Sequence, residues 1–114
     1  MAYDHEMADR IRQLVHDEAD LAEQKMFGGI AFLIGGNMAL AASGQGGLLV
    51  RADPATSDEL VAAGRGASPM VMRGRPMRGW LRVAPEAVRS ERELAEWVAV
   101  GVTYARSLPA KSRP

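Results

Sequence analysis

The sequence predicts an α+β domain: an antiparallel five-stranded sheet, a meander plus a hairpin, packed by N-terminal and C-terminal helices. Three observations carry this prediction. Met7, Ile11, Leu14 and Val15 recur at helical spacing. Residues 30–51 then alternate with a period of two between glycine-rich breaks. Helical spacing returns at Leu94, Trp97, Val98, Gly101, Ala105 and Leu108. A chain of 114 residues is the size of one domain, expected over 4–108 with a frayed tail at 109–114.

The first helix is expected from an Asp4 cap to about Ala22, with acids on its outer faces. From Lys25 the period becomes two. Ile30, Phe32 and Ile34 share one side of a strand, and Ala31 and Leu33 the other. Gly35-Gly36-Asn37 tolerate positive φ and mark a tight turn into Met38–Ser43, where Met38, Leu40 and Ala42 are expected on one face. Gly44-Gln45-Gly46-Gly47 makes the next turn, before a strand at Leu48–Arg51. The connections are too short for parallel crossovers, so the meander is antiparallel.

Asp53-Pro54 reads as a cap followed by proline at the first helical position, opening a short helix Ala55–Ala63 that ends at Gly64. An exposed loop, Arg65–Pro69, follows. Met70–Arg73 and Met77–Val83 are expected as a hairpin around Gly74-Arg75-Pro76, with Pro76 in the turn or on an edge. Pro85 opens a single helical turn. Ser90 and Glu93 form a capping box before the last helix. Gly101, costly inside a helix by about 1 kcal/mol, implies a close packing neighbour there.

Composition narrows the function. With no cysteine, disulfide frameworks, thiol catalysis and cysteine zinc sites are excluded. The acidic N-terminus lacks an apolar core for a secretory signal, so a cytoplasmic location is expected. Met26–Val50 carries no Asp, Glu, Lys or Arg, but its seven glycines break it into strands rather than a membrane span. Net charge is zero yet segregated: residues 1–23 sum to −5 and residues 65–92 to +5. The favoured reading is self-attraction within or between chains, with an anionic partner as the other.

Few residues offer chemistry. His5 and His16 are about three helical turns apart, roughly 16 Å, and cannot share a metal within one chain. No metal site and no cofactor are expected. Gly28-Gly29, Gly35-Gly36 and the glycines at 44–47 all precede strands, whereas a phosphate loop leads into a helix N-terminus. Met26, Met38, Met70, Met72 and Met77 sit in or beside strands, where methionine fills core gaps. The most suggestive cluster is Arg73, Arg75, Arg78, Trp80 and Arg82. Its last three alternate onto one strand face, where arginines beside an aromatic can hold phosphates and stack a base. The plainer reading is a solvated face whose guanidinium groups pair with the acidic first helix.

With these residues in view, the chain resembles the TfoX N-terminal domain family. The most specific segment is Lys25-Met26-Phe27-Gly28-Gly29-Ile30 with its hairpin to Met38 and Ala39. Leu48-Leu49-Val50-Arg51 follows, then Arg73-Gly74-Arg75-Pro76-Met77 through Trp80-Leu81-Arg82-Val83-Ala84-Pro85-Glu86, and Leu94–Val98. The resemblance implies an antiparallel sheet packed by helices, and kinship with bacterial regulators of DNA-uptake competence that assist transcription beside a cyclic-AMP receptor protein. Full-length regulators of this type carry a second, helical domain, which nothing in this sequence resembles. The family brings no catalytic residues. The expected function is a non-enzymatic regulatory module acting through protein contacts, with a protein partner or a second copy. Nucleic-acid binding through the arginines is the alternative, and a small-molecule site between sheet and terminal helix ranks third.

Overall fold

The computed structural model describes residues 5–26, 28–44 and 46–109. The expected Asp4 cap, Phe27 of the family segment, Gln45 and the tail from 110 lie outside the described residues. Helix α1 (His5–Val15) buries Met7, Ala8, Ile11 and Val15 along one stripe. It ends well before the expected boundary at Ala22. Asp20 takes a left-handed backbone (φ 59°) and turns the chain into β1 (Leu21–Met26), which pairs along its whole length with β2 (Gly29–Ile34). Leu, Ala, Glu, Gln and Lys favour helix in isolation. The ladder to β2 overrides that preference.

The remaining strands are β3 (Asn37–Ala42), β4 (Leu48–Arg51), β5 (Ala67–Met72) and β6 (Arg75–Val83). Among the described residues the sheet therefore has six antiparallel strands, not five, in the order β1-β2-β3-β4-β6-β5. Gly35 and Gly36, with φ of 59° and 81°, form the tight turn between β2 and β3. Asn37 belongs to β3, and its buried Nδ2 donates to the Pro109 carbonyl at 2.9 Å.

A bulge corrects the expected face of Met38. Phe32 pairs with Leu40 but Leu33 pairs with Met38, so Ala39 is an extra residue in β3. Leu40 and Ala42 face the helices, and Met38 is turned to the opposite side.

Helix α2 (Ser57–Ala62) is shorter than expected. Asp53 Oδ1 accepts from the Ala55 N–H at 2.9 Å, and its carbonyl accepts from Thr56 and Ser57. The hairpin turn between β5 and β6 lies at Arg73-Gly74, with φ of 53° and 77°, rather than at 74–76. Pro76 is a strand residue facing Val71. Because β4 pairs with β6 only over Trp80–Val83, Pro76 stands on a free edge, where its missing N–H costs little.

After a 3₁₀ turn at Pro85–Val88, α3 (Glu91–Ser107) begins at Ser90, whose Oγ accepts from the Glu93 N–H at 3.0 Å. α3 presses Leu94, Trp97, Val98, Gly101 and Ala105 into the core. A Cβ on Gly101 would stand 2.3 Å from the Ala39 carbonyl oxygen, so the expected close neighbour is the β3 bulge. Arg12 makes a bidentate pair with Glu23 (2.8 and 2.9 Å) and Arg106 reaches Glu18 at 2.6 Å, tying helices to the β1 region. Hydrogen bonds to Glu23 and then Asp9 hold the Arg12 proton more firmly than usual. Among the described residues, no helix is long and apolar enough to cross a membrane.

Candidate functional site

All three helices pack on one face of the sheet, where they share a single apolar core with the strands. The other face has its own apolar cluster, made only of strand residues: Ala31, Met38, Ala41, Leu49 and Met70, flanked by Met26, Leu33, Met77 and Trp80. These side chains are buried or half-buried although, among the described residues, no helix packs over them. The result is a groove of about 530 Å³ lined from all six strands: Gln24 and Met26 of β1, Leu33 of β2, Met38 of β3, Leu49 and Arg51 of β4, Met77 and Trp80 of β6, and Met70 and Met72 of β5. A second hollow of about 320 Å³ shares Met26, Met38, Leu49, Met70 and Met72 and runs on to Ser43, Arg73 and Arg82.

The five methionines expected as gap fillers thus line this groove. Met38 and Met70 lie on its floor at 8% and 9% exposure, and Met72 at its lip at 40%. Such side chains adapt to irregular apolar partners.

The arginine cluster divides. On the groove face, Leu49 pairs with Arg82 and Arg51 with Trp80. The Arg51 guanidinium lies 5.1 Å from the Trp80 ring centre and 5.5 Å from that of Tyr104. Arg82 Nη1 lies 3.5 Å from Ser43 Oγ. Arg78 does not share this face. Gly79, at φ 84°, breaks the alternation, and the paired register jumps between Pro69 and Met70. Arg78 donates instead to the Pro54 carbonyl at 3.1 Å, beside Ser57, Asp58 and Val61. Arg73 occupies the exposed β5–β6 turn, and Arg75 is exposed at the start of β6.

Among the described residues, none of these four arginines, nor Arg51, has a carboxylate within ion-pair distance. Three acids of the first segment are engaged elsewhere: Asp9 and Glu23 with Arg12, and Glu18 with Arg106. The expected pairing of the cluster with the first helix is therefore absent among the described residues, and the Arg51 guanidinium lies over Trp80.

The family segment places Lys25 at an exposed position opposite Ile30, with Met26 in the groove. Gly28 and Gly29 close against the β3–β4 corner. A Cβ on Gly29 would lie 2.2 Å from the Ala42 oxygen, and one on Gly44 would lie 2.6 Å from the Gly28 oxygen. His16 lies past the end of α1, with Nδ1 at 2.8 Å from the Gln13 oxygen and Nε2 at 3.2 Å from Asp17. No group of three or more His, Cys, Asp or Glu among the described residues is placed to hold a metal.

Sequence reasoning missed Gln24, Leu49 and Arg51 as groove residues. A signal was available: β2, β3 and β4 are apolar on both alternating faces, as strands are when both sides are shielded from water.

The lining order of the groove follows the segments singled out from the sequence, Lys25–Met38, Leu48–Arg51 and Arg73–Val83. The family model of the TfoX N-terminal domain matches residues 13–105. The chain belongs to this family. The match takes in all six strands, and with them every lining residue of the groove in this TfoX N-terminal domain. No curated protein and no solved structure is significantly similar to the chain.

Proposed function

We propose that this TfoX N-terminal domain is a non-enzymatic, cytoplasmic regulatory module that acts through protein contacts made by the uncovered sheet face. The family is one of competence-related regulators, which supports a part in the transcriptional control of competence. The observation that carries the reading is the methionine-lined groove, bordered by Arg51 and, in the adjoining hollow, by Arg73 and Arg82, none with a carboxylate within ion-pair distance among the described residues. Contiguous apolar surface of this kind on a folded domain marks an interaction site. The experiment is partner capture and light scattering with the wild type and Met72→Lys. Met72 is 40% exposed, so the variant is expected to stay within about 0.5 kcal/mol of wild-type stability while losing the captured or self-associated partner. A wild type that remains a partnerless monomer in both assays overturns the reading.

Nucleic-acid binding is the second reading, favoured by Arg73, Arg75 and Arg82, which have no carboxylate within ion-pair distance among the described residues. Affinity for a duplex probe is then expected to fall steeply with salt, and each phosphate-contacting arginine replaced by glutamine lowers that slope by about one. A probe left unshifted at about 50 mM salt removes this reading, since counterion release is already near its strongest there.

A further inference from the structure

We infer that the groove receives an amphipathic α-helix of a protein partner, with its apolar stripe flanked by carboxylates. This rests on the reading of the sheet face as an interaction surface, and it specifies the occupant.

Width is the first reason. The groove runs from edge strand β1 to edge strand β5. Five strand spacings are about 24 Å. A helix with its side chains is about 10–12 Å across, so it covers more of that span than a single acyl chain or extended strand does.

The floor is the second reason. Met38, Leu49 and Met70 present flexible apolar side chains, a surface suited to the i, i+3, i+7 anchors of a helix. The lip continues onto the β5–β6 hairpin, where Val71 and Met72 are 58% and 40% exposed. That hairpin projects past the end of β4, with α2 beside Pro76 and Arg78 on its other face. A docked helix adds a layer on the groove side.

Charge selects which helix. Arg51 and Arg82 stand diagonally across the β4–β6 pair, about 7–8 Å apart at the backbone, with Leu49 and Trp80 completing the square. Among the described residues no Asp or Glu lines either hollow. Two copies apposed through this face would set arginines against a surface without a carboxylate, which disfavours self-association there.

The test uses two fluorescein-labelled synthetic helical peptides of about 16 residues, roughly 24 Å of helix. Both carry the same leucine stripe, flanked by glutamates in one and by lysines in the other. Anisotropy titration of the full chain is expected to show the glutamate peptide binding about tenfold tighter at low salt, a difference of about 1.4 kcal/mol. Arg82→Gln and the double change Arg51→Gln/Arg82→Gln shrink the preference, and Met72→Lys weakens binding. Arg82→Gln alone leaves the Arg51–Trp80 stack intact, so it reads charge even if the double variant melts early.

Equal binding of both peptides overturns the acidic helix but leaves the interaction face standing. If neither binds while light scattering shows a dimer that Met72→Lys dissociates, a second copy is the occupant. If neither binds but dodecanoate raises the melting temperature, the groove takes a small apolar acid, and the helix is excluded. A monomer that binds none of these probes overturns both the helix and the reading beneath it.

Discussion

Gly101→Val is expected to destabilise the protein by about 3 kcal/mol or more and to lower its melting temperature by roughly 10 °C. The cause is contact with backbone rather than with a side chain. The first atom of any side chain at 101 arrives 2.3 Å from the Ala39 oxygen and 3.0 Å from its carbonyl carbon. Ala39 is the bulged residue of β3, and its neighbour Leu40 pairs with Phe32 of β2 and Val50 of β4, so it cannot retreat without disturbing both ladders. α3 must lift instead, and lifting it loosens Trp97 and Val98 on one side and Ala105 on the other. Helix preference acts the opposite way, since glycine is the poorer helix former by about 1 kcal/mol against alanine, so Gly101→Ala is the milder variant. Thr103→Ala, on the exposed side of the same helix, is the control and is expected to be stabilising by up to about 0.7 kcal/mol. Urea melts of the three variants check the ordering. A Gly101→Val protein as stable as wild type contradicts the packing of α3 on the bulge.

The bulge also shows which parts of the fold were legible beforehand. Helical spacing located α1 and α3 because their apolar stripes face one large core. Gly35-Gly36 located the β2–β3 hairpin because its turn needs positive φ at both residues. The sequence could not reveal β1, whose polar, helix-favouring residues become a strand only by pairing with β2. Nor could it reveal a change of parity. Ala39 in β3 and Gly79 in β6 each break the two-residue rhythm, and each does so inside a segment that looks regular. One break turns Met38 into the groove. The other removes Arg78 from the face of Trp80 and Arg82. The candidate site was half visible for the same reason. Its arginines and methionines were recognisable by type, but their meeting on one face depends on strand order and register.

Gly29→Ala is expected to cost about 2–3 kcal/mol, whereas Gly28→Asn is expected to cost less than about 1 kcal/mol, because asparagine enters the left-handed region more readily than other residues. The two neighbours look equivalent in the family segment, yet they do different things. Gly28 has φ 76°, and a Cβ there meets nothing within 4 Å, so its demand is conformational. Gly29 has no such backbone demand, but its Cβ would strike the Ala42 oxygen at 2.2 Å and crowd the Gly44 nitrogen at 3.1 Å. The corner between β1 and β2 is thereby seated on the corner between β3 and β4. That seating sets where Met26, paired with Gly29, enters the groove beside Met38 and Leu49. Gly29→Ala is therefore expected to weaken binding at the groove as well as stability, while Gly28→Asn leaves binding intact. Thermal melts combined with peptide titration separate the two effects. Should Gly29→Ala melt like wild type, the signature glycine has some role other than close packing. If the variant is destabilised but binds normally, the corner supports the fold without shaping the groove.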